Sequence, residues 1–418
     1  MAIIRCEVVC PYCDTRILLG DCPIVATNRV QPGGQFGADP GDHAANHSLT
    51  PADGPSLDRY PVLWQPLPDE PDDDPYRTWW QRLWDALVGS QRDEPDQPEE
   101  IRPVSSFGFL RGDLPARACT RCGYPLPDDI AERPVRKIGI VGTTGAGKSL
   151  LLRAILTEAA EQQKLAAWGV RDFEVDEETA ARLRDQYQSV HDVEPTSPAD
   201  APEANFRPFI ARATLGTDKV QMFFYDIDGE TLLSRSLRAR YAPFLYRPHG
   251  LIFLIDPMMI APIRALLPDS PNYQRLIRQT TLVNACVADL EERAATTPIA
   301  ITLSKSDLIE DARIEGYQFL FRQHPGDDDT LQLRAAEMAG IDKEVRSIFD
   351  SVDMDDLTAL ANRLGPKAPV TFHAVAAVGF TPEVVNGEPD LRDAKSLRCL
   401  EPLIAILSPR VRDKIRDA

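Results

Sequence analysis

The sequence has little positive charge, few cysteines and no long hydrophobic run, and each shortage argues against a class of protein. Its 418 residues include 46 Lys and Arg against 64 Asp and Glu, a net charge of −18. Because that field repels phosphate backbones, we expect no main role in non-specific nucleic-acid binding. No apolar run reaches the length of a membrane span, and residues 1–10 lack the pattern of a signal peptide. The sequence therefore predicts a cytoplasmic protein without a transmembrane segment.

The eight cysteines include two CxxC pairs, which in a reducing cytosol indicate a metal site rather than disulfides. The pairs are Cys10 with Cys13 and Cys119 with Cys122. Two such turns supply the four thiolates of a structural Zn²⁺ site, here a zinc ribbon split by 105 residues. Loop-closure entropy grows only with the logarithm of loop length, so a long insertion is tolerated. An alternative set, in which Cys6 and Cys22 join Cys10 and Cys13, stays open.

Residues 14–118 form an acidic, proline-rich insert between the two pairs. They hold 14 of the 36 prolines and carry 18 acidic against 9 basic side chains. Such a composition buries too little apolar surface to offset the entropy of ordering, so we expect a largely disordered insert. Within it, residues 76–89 hold three of the five tryptophans, with apolar side chains at the spacing of one helix face. This Trp-rich helix is expected to dock on the protein itself or on a partner.

From residue 135 onward, short apolar runs alternate with helical patterns, which is typical of an α/β domain with a mostly parallel sheet. The predicted strands are 137–141, 207–215, 220–226, 250–256, 298–303 and 370–374. The predicted helices begin at Lys148, Pro271, Asp356 and Ser396. A hairpin turn at 216–218 sets one antiparallel strand beside the parallel ones. Residues 309–364 are too long for an ordinary loop and indicate a charged helical insertion.

The strongest motif is a strand, then GxxxxGKS, then a helix pattern, which is the context that a phosphate-binding P-loop requires. The expected nucleotide-binding residues are Gly142, Thr143, Thr144, Gly145, Ala146, Gly147, Lys148, Ser149 and Leu150, the last of which continues the helix. The glycines let backbone N–H groups surround phosphates at a helix N-terminus. Lys148 would supply a charge to the β- and γ-phosphates and act in catalysis, and Ser149 would supply a hydroxyl to Mg²⁺.

A DxxG sequence at the end of a later strand is typical of a GTPase switch. Asp226 would hold Mg²⁺ through water, and the Gly229 N–H would sense the γ-phosphate. Glu230 stands where many such proteins carry Gln or His, and its charge predicts slow intrinsic hydrolysis. Thr196 is the candidate switch threonine that reaches Mg²⁺ in the GTP state. The alternative is an ordinary threonine in a proline-rich loop.

Ser304, Lys305 and Asp307 follow another strand as an [N/T/S]KxD sequence, which in GTPases reads guanine. The Asp307 carboxylate would accept hydrogen bonds from the N1–H and the amino group of guanine, a pair that adenine cannot supply. Lys305 would lie along the base and brace the P-loop, and Ser304 replaces the usual Asn. The backbone of Ala376 and Ala377 would hold the guanine oxygen.

These motifs come in the order of the translation-factor-related GTPases, a resemblance that covers residues 135–418. More narrowly, the chain resembles the second type of double-GTPase protein, through KIGIVGTTGAGKSLLLRAIL, YDIDGE, LIFLIDP and LSKSDL behind a split zinc ribbon. That family is found in predicted bacterial conflict systems beside a companion GTPase. The resemblance implies GTP and Mg²⁺ binding and a protein partner, for which a second GTPase is the candidate.

The leading hypothesis is a GTP-dependent molecular switch that hydrolyses GTP to GDP and phosphate and acts through a partner. Its parts are the split zinc ribbon at 1–13 and 119–134, the insert at 14–118 and the GTPase domain at 135–418. The first alternative is an ATP-dependent ATPase or phosphotransferase, in which Asp256 serves as the Walker B acid. The second is a zinc-ribbon adaptor that binds nucleotide without hydrolysing it.

Overall fold

The computed structural model divides the chain into two units, Met1–Arg133 and Pro134–Ala418. The described residues are 7–12, 14–22, 24–28, 62–64, 113–121, 126–127, 129–161, 163–177, 179–183, 208–235, 238, 242–266, 279–291, 296–311, 331–352, 354–364, 368–379, 384–385, 388–389 and 396–417.

The N-terminal unit contains short antiparallel strands. They are β1 (Glu7–Val9), β2 (Arg16–Leu18), β3 (Ile24–Asn28), β4 (Val62–Trp64) and β5 (Asp113–Arg117). β1 pairs with β2, and β3 lies between β4 and β5 in a three-stranded sheet. In the β1–β2 hairpin, Val8 is paired with Ile17 and both side chains are buried, as alternation of apolar and polar residues requires.

Four of these strands lie within residues 14–118, for which the sequence predicted mostly disorder. The average composition of a long segment hides short runs such as Ile24–Asn28, which pairs with Asp113–Arg117 from far along the chain. Ordered structure therefore extends past the predicted ribbon boundaries at 13 and 119. The predicted helix at 76–89 lies outside the described residues.

The C-terminal unit contains a seven-stranded sheet. Its strands are β6 (Val135–Gly142), β7 (Val170–Val175), β8 (Phe209–Leu215), β9 (Asp218–Asp228), β10 (Gly250–Ile255), β11 (Ile299–Leu303) and β12 (Val370–Ala374). Their order is β12-β11-β10-β6-β9-β8-β7, and β13 (Val384–Val385) pairs with β14 (Glu388–Pro389) outside this sheet. The first five run parallel, whereas β8 runs antiparallel to both β9 and β7. The prediction of a mostly parallel sheet with one antiparallel strand is confirmed.

The six predicted strands all occur within a few residues of their expected bounds, but β7 was not predicted. β7 is an edge strand that exposes Arg171, Asp172 and Glu174 and has a register shift between Arg171 and Glu174. Asp172 adopts φ 51°, which interrupts the regular strand geometry. A strand that is half polar and irregular has too weak a period-2 pattern to be recognised in one sequence.

Helices cover both faces of the sheet. They are α1 (Lys148–Glu161), α2 (Gly229–Leu233), α3 (Ala261–Arg264), α4 (Gln279–Glu291), α5 (Ser306–Asp311), α6 (Leu331–Ser351), α7 (Asp355–Leu364), α8 (Glu401–Leu407) and α9 (Pro409–Asp417). One hydrophobic core contains buried residues of α1, α8 and α9, and a second contains residues of α4, α6 and α7. None of the described helices is long and apolar enough to cross a membrane.

The described part of the predicted helical insertion belongs to the core of the unit. Phe349 of α6 and Leu357 of α7 are buried together with Phe253 of β10 and Phe372 of β12. The rings of Phe349 and Phe372 meet edge to face, with centroids 5.9 Å apart. α6 and α7 thus cover one face of the sheet, as crossover helices do in a parallel α/β fold.

Two predicted helix starts agree with the structure and one does not. α1 begins at Lys148, and Asp356 lies in the first turn of α7. The helix expected from Ser396 begins only at Glu401, because Leu397 pairs with Ala376 as an isolated β-bridge and Arg398 has φ 55°. The start predicted at Pro271 lies outside the described residues, which resume at Gln279.

Candidate functional site

The predicted site residues lie on loops that leave one edge of the sheet. β6, β9, β10, β11 and β12 are parallel, so their carboxyl ends meet at the same edge. The P-loop follows β6, the DxxG sequence ends β9, and the base-reading residues follow β11 and β12. Ligands of open α/β sheets bind in the crevice at this edge.

The P-loop has a backbone conformation that depends on glycine. Gly145 and Gly147 have φ values of 79° and 89°, in the left-handed region that L side chains rarely adopt. The Ala146 N–H donates to the Thr143 oxygen at 3.1 Å, which closes the turn before α1 begins. The Thr143 hydroxyl is buried, and Oγ1 has no hydrogen-bond partner in the described part of the chain. A loop of this shape directs N–H groups toward an anion at the helix N-terminus.

The Lys148 ammonium lies within the P-loop. Its Nζ donates to the backbone oxygens of Gly142 and Thr143 at 3.0 and 3.1 Å, and the residue is 9% exposed. The side chain is therefore held at the concave side of the loop, where a phosphate would be in reach of its charge.

The predicted magnesium ligands are brought together by the pairing of β6 with β9. In that register Ile140 is paired with Asp226, which places Asp226 beside the P-loop. The Ser149 hydroxyl donates to Asp226 Oδ2 at 2.6 Å. A hydroxyl at the start of α1 and a carboxylate near the end of β9 are both oxygen ligands, and such ligands suit a hard cation such as Mg²⁺.

The DxxG glycine approaches the P-loop closely. A Cβ on Gly229 would lie 2.6 Å from the Gly142 oxygen and 2.8 Å from Leu282 Cδ2, so only glycine fits there without a shift. Gly229 also begins α2, whose second residue is Glu230. The side chain of Glu230 and the whole of Thr196 lie outside the described residues.

The base-reading sequence is fixed to the neighbouring strands through its backbone. The Ser304 N–H and hydroxyl both donate to the Ile255 oxygen, at 2.9 and 3.2 Å. The Ser306 N–H donates to the Val375 oxygen at 3.1 Å. Asp307 lies in the first turn of α5 and is partly exposed. The motif is thus connected on one side to β10 and on the other to the loop that follows β12.

The loop after β12 has a partner that the sequence did not indicate. The Ala376 N–H donates to the Leu397 oxygen at 3.1 Å, and the Leu397 N–H donates to the Ala376 oxygen at 2.8 Å. Ala376 is fully buried, whereas Ala377 is partly exposed. Of the two predicted contacts to a base oxygen, the Ala376 N–H is therefore already used within the protein. Leu397 lies 21 positions later in the sequence, without a motif that could have revealed the pairing.

Asp256 was the acid required by the ATPase alternative. Its Oδ1 accepts the Met258 N–H at 2.9 Å, and its Oδ2 accepts Lys305 Nζ at 2.8 Å. The acid in contact with Ser149 is Asp226 instead. Asp256 therefore contacts Lys305 of the predicted base-reading sequence, a contact that the sequence analysis did not predict. The sequence did contain one signal for this contact, because Asp256 follows a strand that is adjacent to β11.

The proposed zinc ligands are described only in part. Cys10, Cys22 and Cys119 are buried, whereas Cys6, Cys13 and Cys122 lie outside the described residues. The Arg121 N–H donates to Cys119 Sγ at 3.4 Å. Burial, together with the nearby Cys119, raises the pKa of the Cys22 thiol to about 11. Among described residues, no group of three or more His, Cys, Asp and Glu is arranged to hold a metal ion.

Comparison with known families now identifies the group to which the chain belongs. A family model described as Double-GTPase 2 matches residues 136–357, which is more than half of the 418 residues. The chain belongs to the double-GTPase 2 family. The matched range of this double-GTPase 2 member contains the P-loop, the DxxG sequence and the base-reading sequence, and it ends before β12.

Solved structures of Sup35 are among those to which this double-GTPase 2 chain is similar. Sup35 complexed with GDP shares 11% identity at a TM-score of 0.26, over 60% of this chain and 39% of that chain. Sup35 complexed with GMPPNP shares 11% identity at a TM-score of 0.26, over 59% of this chain and 38% of that chain. The chain thus spans about two fifths of these Sup35 chains. No curated protein matches it.

Proposed function

We propose that the protein is a GTP-binding molecular switch that uses Mg²⁺ and hydrolyses GTP slowly. The observation that carries this proposal is the meeting of two half-sites at one sheet edge. One half-site is the P-loop with the Ser149–Asp226 contact, and the other is Ser304–Asp307 connected to the loop after β12. Membership of a GTPase family supports the same assignment.

The P-loop residues fit a triphosphate. The left-handed glycines, Gly145 and Gly147, turn the backbone around a space next to the N-terminus of α1. The unpartnered Thr143 hydroxyl and the Lys148 ammonium are a buried donor and a buried charge beside that space. Ser149 would bind Mg²⁺ directly and Asp226 through water. When bound, Mg²⁺ neutralises charge on the β- and γ-phosphates.

Base selection would depend on Asp307. Its carboxylate accepts two hydrogen bonds from the N1–H and amino group of guanine, and adenine cannot supply that pair. The Ala377 N–H is the better candidate for the guanine oxygen, because the Ala376 N–H is bonded to Leu397. Ser304 would act through its contact with Ile255, which holds the loop against β10.

Hydrolysis would transfer the γ-phosphoryl group to water, with cleavage of the bond to the β-phosphate oxygen. Lys148 would stabilise the charge that develops on the phosphates. Glu230 follows Gly229, whose N–H would sense the γ-phosphate, and a carboxylate beside that phosphate would orient water poorly and repel the phosphate. Thr196 is the proposed residue that reaches Mg²⁺ in the GTP state only.

Calorimetric titration with GTP and with ATP, each with Mg²⁺, tests the proposal. We expect GTP to bind more tightly than ATP, and Asp307→Ala to weaken GTP binding by about a hundredfold while leaving ATP unchanged. Asp307→Asn should favour xanthosine triphosphate, because an amide N–H can donate to the extra oxygen of xanthine. Equal or tighter ATP binding, unaffected by either substitution, would support the ATPase alternative instead.

We also propose that the nucleotide state controls binding to a companion protein, for which a second GTPase of a bacterial conflict system is the candidate. The test is co-elution of the purified pair in the presence of GDP or of a non-hydrolysable GTP analogue. Complex formation with one nucleotide only is expected. Single-turnover assays with and without the companion then separate a switch from an adaptor, because an adaptor hydrolyses no GTP in either case.

For the N-terminal unit we propose a structural zinc site made by Cys10, Cys13, Cys119 and Cys122. Its support is the full burial of Cys10 and Cys119 and the N–H donated to Cys119 Sγ, which favours a thiolate. Metal analysis of the purified chain should give one zinc per molecule, lost in Cys119→Ser. Cys286→Ser, at a buried thiol of α4, is the matched control and should keep zinc. A chain without bound zinc would contradict this site.

A further inference from the structure

Asp256 is a buried carboxylate with two separate tasks. It directly follows β10 and is 1% exposed. Oδ1 accepts the Met258 N–H and caps the short helix Pro257–Met259, and Oδ2 accepts the Lys305 ammonium at 2.8 Å. A cap requires only one oxygen, which Ser or Asn supplies equally well. The second oxygen, and the full negative charge, are therefore available for Lys305.

The position of Asp256 is itself fixed from both sides of its backbone. The Asp256 N–H donates to Gln279 Oε1 at 2.6 Å, and Gln279 Nε2 donates to the Asp256 oxygen at 3.0 Å. Gln279 is 5% exposed and begins α4. With both backbone groups and both carboxylate oxygens engaged, Asp256 is a rigid acceptor at the end of β10.

Lys305 has a backbone fixed by its neighbours and a side chain fixed by Asp256. Lys305 adopts φ 48°, in the left-handed region, while Ser304 is bonded to β10 and Ser306 to Val375. Its side chain is 29% exposed, so water could solvate the ammonium if the carboxylate were absent. The ion pair with Asp256 thus decides where a long, flexible side chain lies.

Stability alone does not explain this ion pair. A buried carboxylate is costly to desolvate, and replacing buried ion pairs by other groups is often neutral for stability. The same pair restricts the rotamers of Lys305 before any base arrives, which lowers the entropy lost on binding. Placement of Lys305 is therefore the better physical reason for the pair.

We propose that Asp256 is a positioning residue for guanine recognition, which acts by holding the Lys305 side chain along the plane of the base. This inference rests on the proposed function, because it requires that Ser304–Asp307 reads guanine. Asp256 itself touches no nucleotide in this scheme. Its effect passes entirely through Lys305.

The experiment compares GDP affinity, by calorimetry with Mg²⁺, in wild type, Asp256→Asn, Asp256→Ser, Lys305→Met and the double variant Asp256→Asn/Lys305→Met. Both Asp256 substitutions keep a capping oxygen, so the second serves if the first does not fold. We expect Asp256→Asn to weaken GDP binding about tenfold and to leave inorganic pyrophosphate binding unchanged. The double variant should bind GDP as Lys305→Met does, because Asp256 has no further effect once the ammonium is gone.

Asp342→Asn is the matched control. Asp342 is also buried, its Oδ1 accepts the Phe372 N–H at 2.6 Å, and its Oδ2 pairs with Arg346 at 2.6 Å. This variant removes the same kind of charge away from Lys305. Its stability should fall while its GDP affinity stays within about twofold of wild type.

Three results would contradict the inference. Unchanged GDP affinity in Asp256→Asn or Asp256→Ser would reduce Asp256 to a helix cap. Independent losses that multiply in the double variant would mean that Asp256 does not act through Lys305. A loss of pyrophosphate binding equal to that of GDP would indicate a general effect on the P-loop. If instead wild type does not prefer guanine nucleotides, the proposed function fails, which is a separate result.

Discussion

The two halves of the candidate site are built in different ways. The phosphate half consists mainly of consecutive residues, and the Lys148 ammonium bonds to carbonyl oxygens five and six positions before it. The base half joins three segments, at Asp256, at 304–307 and at 375–377, through the parallel pairing of β10, β11 and β12. In the proposed function, the contiguous half would bind any nucleotide, whereas the assembled half would distinguish one base from another.

Lys148→Ala should have the largest effect and the least dependence on the base. The substitution removes the buried charge that is proposed to face the phosphates, so GTP, GDP and ATP should all bind about a hundredfold more weakly or worse. Calorimetry with the three nucleotides measures this. Lys219→Ala, at an exposed hairpin position, is the control. A loss confined to guanine nucleotides would break the distinction between the two halves.

Gly229→Ala should affect the phosphate half in a state-dependent way. The new Cβ would lie 2.6 Å from the Gly142 oxygen, so the DxxG segment must move away from the P-loop. Because the Gly229 N–H is expected to sense the γ-phosphate, GTP affinity should fall about tenfold and GDP affinity less.

The control for Gly229→Ala is Gly216→Ala. Gly216 has φ 63° in the β8–β9 turn and nothing within 4 Å of its Cβ position. This variant should lose about 1 kcal/mol of stability without a change in nucleotide affinity. Equal losses of GTP and GDP affinity in Gly229→Ala would show that Gly229 matters for packing against the P-loop but does not sense the γ-phosphate.

Glu230→Gln should raise the rate of hydrolysis and leave binding nearly unchanged. A neutral amide orients water without repelling the γ-phosphate, so the single-turnover rate should rise about tenfold, which corresponds to roughly 1.4 kcal/mol of barrier. The measurement is phosphate release from a preformed GTP complex. A slower variant would mean that the Glu230 carboxylate assists hydrolysis.

The smallest effect concerns the dependence of the folding stability on pH. Burial and the nearby Arg398 lower the pKa of His373, in β12, from 6.5 to about 3. Burial and the nearby Arg136 and Lys137 lower the pKa of His249 from 6.5 to about 4. Well above pH 6.5 both residues are neutral in the folded and the unfolded state and add no pH dependence. As the pH falls below 6.5, the unfolded chain binds protons that the folded chain does not, so stability is lost.

Urea unfolding at pH 7 and pH 5 checks this dependence. The unfolding midpoint should be lower at pH 5. His249→Asn keeps an acceptor for the Lys137 N–H, which His249 Nδ1 accepts at 3.0 Å, and should lose less stability between the two pH values. An unchanged midpoint in wild type would show that the two imidazoles titrate normally.

Much of the fold could be predicted because its signals are local. The β6–P-loop–α1 unit and the β8–β9 hairpin are each encoded in neighbouring residues, and their bounds agree with the structure to within a few positions. β7 was missed because an irregular edge strand buries few side chains. β3, β4 and β5, which lie within 14–118, were missed because their pairing partners are far along the chain.

From the sequence alone, the P-loop and the parallel sheet could be predicted, and the residues proposed to read the base could be named. These follow from glycine conformation, from hydrophobic periodicity and from the hydrogen-bonding groups of Asp307. Three contacts are visible only in the folded protein: Asp226 with Ser149, Asp256 with Lys305, and Leu397 with the Ala376 N–H. Each of these contacts depends on strand register and on segments that meet only after folding. A linear motif contains no information about the register or about which segments meet.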